Sequence, residues 1–72
     1  MYSFSGQKVR QRRTDLNIPL PQVAVAAERS VESIRAYEAG RSFPSAEVVA
    51  RMAEVLGCEP GDFYEFVDRV AA

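Results

Sequence analysis

The chain has 72 residues, no histidine and one cysteine, Cys58. That length makes a single small domain. The residue types exclude an internal disulfide, a metal site and a cysteine–histidine catalytic pair. The net charge of −1 is unevenly spread: residues 1–45 carry seven basic and four acidic side chains, residues 46–72 two and six. The first part therefore offers a basic surface and the last part an acidic one.

One domain over residues 1–72 is expected, built from five helices with no strand. Helix one is expected from about Gly6 to Asp15, capped by Ser5. Val9 and Leu16, seven apart, would face the core. Lys8, Arg10, Arg12 and Arg13 fill much of the remaining surface, and Asn17-Ile18-Pro19 breaks the helix. Helix two starts near Leu20 and Pro21, because a proline is tolerated where its missing N–H would have no partner. Val23, Ala24 and Ala27 would pack against Ile34 and Tyr37 of helix three, which runs from about Val31 to Tyr37. Ser30 caps that helix and Gly40 supplies a left-handed stop. The two helices and their tight turn have the layout of a helix-turn-helix that reads DNA.

Arg41-Ser42-Phe43-Pro44 reads as a loop. Ser45 caps helix four, with Glu47 in its first turn and an apolar stripe of Val48, Val49, Met52, Ala53 and Leu56 ending at Gly57. Pro60 opens helix five, where Phe63, Phe66, Val67 and Val70 follow helical spacing. Phe63, Phe66 and Val67 suffice for the core, and two readings remain for Tyr64 and Val70: a dimer surface, or a satisfied core with one exposed tyrosine. No stretch is long and apolar enough to span a bilayer, and Met1-Tyr2-Ser3-Phe4-Ser5 is too polar for a signal peptide. A cytoplasmic protein with no membrane partner and no cofactor is expected.

These residues resemble the phage-repressor and Cro-like helix-turn-helix family, also called the XRE family. Val23-Ala24 looks like its Leu-Ala pair on helix two. Ser30, Ile34, Tyr37-Glu38-Ala39-Gly40-Arg41 and Pro44-Ser45 look like its recognition helix, stop and entry into helix four. Leu56-Gly57 with Asp62-Phe63 looks like its closing junction. The resemblance covers about Gly6 to Phe63 and implies an all-α, five-helix lambda-repressor-like domain. It also implies binding to palindromic operators as a homodimer. Arg13 and Glu38 occupy positions similar to the family's internal ion pair, with phosphate contact by Arg13 as the other reading.

Three positions depart from the family. Glu28 stands where a positive φ usually calls for glycine, a strain of about 1 kcal/mol. Arg29 replaces an apolar turn residue, and its head can reach solvent or phosphate. Leu20 replaces a glutamine that caps helix two and touches phosphate, so that contact is lost or moves to Gln22.

With Ile34 and Tyr37 facing inward, Glu32 and Ala36 point most directly outward, with Arg29 and Ser33 on one flank and Val31 and Arg35 on the other. By the resemblance, base contacts fall on Val31, Glu32, Ser33 and Ala36, with Arg35 in reach. Val31 and Ala36 suit thymine methyls, and Glu32 suits the cytosine amino group. Arg35 suits either guanine or a phosphate. Phosphate contacts are expected from Gln22, Arg29, Ser30, Arg41 and Ser42, the last two where the family's loop meets the strand. Lys8, Arg10 and Arg12 are weaker candidates.

The expected function is sequence-specific binding of double-stranded DNA by a transcriptional regulator acting as a repressor, with helix three in the major groove. The alternative is an antitoxin or adaptor whose helices mainly contact protein. An enzyme is not expected, because no nucleophile stands with a base.

Overall fold

The computed structural model describes residues 1–68. In chain order the elements are β1 (Tyr2–Phe4), α1 (Gly6–Asp15), α2 (Leu20–Ala27), α3 (Val31–Ala39), α4 (Ala46–Val55), a 3-10 turn (Pro60–Phe63) and β2 (Tyr64–Phe66). The class is mostly helical, as expected. The count differs, with four α-helices and a two-stranded ribbon among the described residues in place of five helices.

Local chemistry accounts for the helix boundaries. Three serines cap helices with their hydroxyls: Ser5 accepts from the Lys8 amide, Ser30 from Ser33 and Ser45 from Val48. Each satisfies one amide that the helix itself leaves without a partner. The helix α2 starts at Pro19 with no side-chain cap. Asn17 and Glu28 turn the chain left-handed after α1 and α2, and Gly40 ends α3 at φ 78°. Gly6 serves a different need. A Cβ there would lie 1.9 Å from the Tyr37 carbonyl oxygen, so only glycine lets α1 approach the end of α3 this closely.

The core lies where α2 crosses α3 and α4, with α1 and the 3-10 turn closing it. Val9, Val23, Ala24, Ala27, Ile34, Tyr37, Val48, Val49, Met52, Ala53, Leu56 and Phe63 fill it. Burying one large apolar side chain of this kind contributes about 1.5–3 kcal/mol. Burial also pushes the Cys58 thiol above its ordinary pKa, which keeps it neutral.

The expected helix five is absent among the described residues, and those of its span are deployed differently. Pro60–Phe63 closes one 3-10 turn, in which the Glu59 amide donates to the Asp62 carboxylate at 2.9 Å. The chain then extends as β2 antiparallel to β1, with Tyr2 opposite Phe66, Ser3 opposite Glu65 and Phe4 opposite Tyr64. Aromatic pairs on this ribbon pack edge to face, Tyr2 on Phe66 at 5.5 Å and Phe4 on Tyr64 at 6.1 Å between ring centres. Such cross-strand pairs stabilise a ribbon that backbone hydrogen bonds alone would leave marginal. Phe66 and Val67 are consequently exposed rather than in the core. Tyr64 is half-buried and packs against the core, while Val70 lies outside the described residues. Leu16 is also exposed: α1 has ended before it, and it caps the helix from the surface.

Among the described residues no helix is long and apolar enough to cross a membrane, and no group of three acidic, histidine or cysteine side chains could hold a metal.

Candidate nucleic-acid interface

The turn between α2 and α3 positions the candidate reading helix. Glu28 adopts φ 56° and ψ 43°, a left-handed conformation that a side chain resists. Two amides fold back onto α2 there: Glu28 donates to the Val25 carbonyl at 3.1 Å and Arg29 to the Ala24 carbonyl at 3.0 Å. They satisfy the carbonyls left open at the end of the helix. The Glu28 carboxylate also stands 3.9 Å from Arg51 of α4. Arg51 in turn pairs with Glu47 one helical turn away. Arg29 folds its guanidinium onto the Glu28 carbonyl at 3.1 Å and is exposed.

Ile34 and Tyr37 bury the inner side of α3 against α2. Glu32 and Arg35 are exposed on the opposite side, 3.9 Å apart, and an exposed pair at that distance holds its members only weakly. Ser33 and Ala36 are half-buried between the two sides. Ser33 accepts a hydrogen bond from the Ser30 hydroxyl at 3.0 Å. Val31 is half-buried and packs partly against the core, which leaves only part of its side chain for a ligand. Gln22, Ser30, Arg41 and Ser42 are exposed. The backbone amides of Arg41 and Ser42 both donate to the Ala36 carbonyl, which folds the loop back against the end of α3.

Arg13 and Glu38 meet in a bidentate pair. Arg13 Nε donates to Glu38 Oε2 at 2.7 Å and Nη2 to Oε1 at 3.1 Å, and Nη1 donates to the Ile18 carbonyl at 3.1 Å. The hydrogen bond from Glu38 raises the Arg13 pKa above its ordinary value. Only 14% of the Arg13 side chain and 7% of the Glu38 side chain are exposed. The pair therefore bolts α1 to the C-terminal turn of α3 and fixes where that helix points.

Two further cations of α1 have structural work that sequence pattern did not disclose. Arg12 donates from Nε to the Leu56 carbonyl at 2.9 Å and from Nη2 to the Gly57 carbonyl at 3.1 Å. It thereby caps the C-terminal end of α4, where carbonyls lack partners and the helix dipole favours a cation. Lys8 reaches the Tyr64 carbonyl at 3.3 Å. A basic residue on α1 was the only available signal, because the acceptors stand more than 40 residues away along the chain.

A family model described as a helix-turn-helix domain matches residues 6–65. Among solved structures, the chain is similar to the P22 c2 repressor protein, whose crystal structure is in complex with a synthetic operator. That match has a TM-score of 0.74 and 24% identity, and covers 82% of this chain and 89% of the other. No curated protein matches.

Proposed function

From its membership of the helix-turn-helix domain family, we propose that this chain is a DNA-binding transcriptional regulator that reads duplex DNA with α3. The observation that carries the reading is the division of α3 into a buried side, Ile34 and Tyr37, and an exposed side with Glu32 and Arg35, held in place by the Arg13–Glu38 pair. A rigid helix with one free side suits the major groove. The operator complex of the P22 c2 repressor, which shares the fold, supports the same use of this one.

In this reading Glu32, Ser33 and Ala36 meet base edges, with the open part of Val31 beside them. Gln22, Arg29, Ser30, Arg41 and Ser42 stand where phosphates would flank the helix. Repression follows from occupancy of an operator, and a homodimer on a palindrome would place two copies of α3 one helical turn of DNA apart. Tyr64 offers such a dimer only its half-exposed edge.

Selection of bound sequences from random duplex DNA tests the function. Wild type should recover a palindrome. Glu32→Gln should change preference at one position per half-site toward adenine, because an amide both donates and accepts. Recovery of no preferred sequence would overturn sequence-specific reading.

A further inference from the structure

A cleft runs between α1 and the C-terminal half of α3, and four arginines line it, Arg10, Arg13, Arg35 and Arg41. Among the described residues the only acidic one lining it is Glu38, and Arg13 engages both of its carboxylate oxygens. Among the described residues, the side chains of Arg10 and Arg41 make no ion pair and no hydrogen bond. Arg35 has only the long, exposed contact to Glu32. Arg10 and Arg41 thus line one cleft without an ion pair among the described residues, and Arg35 with only that long one, although carbonyls and carboxylates engage the other α1 cations, Lys8, Arg12 and Arg13. Like charges gathered in this way repel one another unless an anion joins them. The planar fork of a guanidinium matches the oxygens of a phosphate.

We propose that this cleft is a clamp for the phosphodiester backbone of duplex DNA, in which Arg10 and Arg35 join Arg41 on one strand. The proposal rests on the duplex-binding reading and adds two assignments to it. Arg10, on α1, becomes a phosphate ligand. Arg35 becomes a residue that positions the helix rather than one that reads guanine, since it lines the cleft beside Arg10 and Arg41. Specificity then falls to Glu32, Ser33, Ala36 and the open part of Val31. The clamp also offsets the loss of a donor at Leu20, whose own side chain cannot bond a phosphate.

The test compares the salt dependence of binding by wild type, Arg10→Ala, Arg35→Ala and Lys8→Ala, on the selected duplex and on a scrambled one. Lys8→Ala removes the same charge from α1, but Lys8 lines a different cleft beside Cys58 and Phe63. Each lost phosphate contact lowers the slope of log affinity against log salt by about 0.9. Arg10→Ala and Arg35→Ala should each lower the slope by about one, and each should weaken both duplexes by the same factor. Lys8→Ala should leave the slope unchanged. All four proteins should retain the wild-type circular dichroism spectrum, because the altered side chains are exposed. An unchanged slope for either arginine variant would overturn the clamp. So would a changed base preference in Arg35→Ala, or an equal loss in Lys8→Ala. In each case the duplex-binding reading survives as long as wild type binds with a salt slope. Failure of wild type to bind duplex would overturn both.

Discussion

Arg12 and Arg13 are neighbours on α1, and Arg10 precedes them by half a turn, yet the three arginines have different fates. Arg12 points back to the open carbonyls at the end of α4, and Arg13 points to Glu38. Arg10 lines a cleft whose acidic residue, Glu38, is already held by Arg13 at both carboxylate oxygens. The contrast teaches that charge alone does not mark a binding surface on a small domain. A cation whose neighbourhood supplies acceptors becomes part of the scaffold. One that engages no acceptor in its neighbourhood is left for a ligand.

The Arg13–Glu38 pair should show the scaffold side of this contrast most strongly. Glu38→Ala leaves a guanidinium that is largely buried without its counter-charge, and should lower unfolding stability by about 3 kcal/mol, read by urea denaturation. A double-mutant cycle with Arg13→Ala should give a coupling well above 0.5 kcal/mol, whereas strictly additive losses would remove the bolt between α1 and α3. Arg12→Ala comes next. It removes two carbonyl hydrogen bonds at an exposed helix end, so thermal unfolding should report a loss of about 1 kcal/mol, with DNA affinity unchanged for the folded protein. A loss of affinity with full stability would move Arg12 to the ligand side.

Glu28→Gly should have the smallest effect, and in the opposite direction. Glycine relieves the left-handed turn, and the exposed contact to Arg51 that it forfeits is worth little, so stability should rise by about 0.5–1 kcal/mol. The sequence selected from random DNA should not change. A loss of stability would mean that the Arg51 contact outweighs the backbone strain.

The helical part of the fold was legible because its signals are local. Ser5, Ser30 and Ser45 each cap within three residues, and Gly40 stops α3 at the position it occupies. The last element was not legible, because Phe63, Phe66 and Val67 fit a helical period while Tyr64 and Phe66 fit an alternating one. The strand that decides between them, Tyr2–Phe4, lies about 60 residues earlier. Its own alternation of aromatic, polar and aromatic residues was the unused clue. Leu16 misled for a related reason: the spacing from Val9 is helical, but the turn at Asn17 ends the helix before a side chain there can reach the core.

The site divides in the same way. The exposed side of α3 follows from helical geometry once Ile34 and Tyr37 are buried, and the Arg13–Glu38 pairing was suggested by resemblance. The partners of Lys8 and Arg12, and the convergence of Arg10, Arg35 and Arg41, depend on how distant segments meet. No spacing along the chain encodes that.

The most direct measurement is a titration of the isotope-labelled protein with its selected duplex, followed by backbone amide chemical shifts. The expected result is that the largest perturbations fall on Ser30–Ala36 and Arg41–Ser42, with Arg10 beside them, while the ribbon residues Tyr2–Phe4 and Tyr64–Phe66 change least. Perturbations centred on the ribbon, with the exposed side of α3 unmoved, would contradict the account.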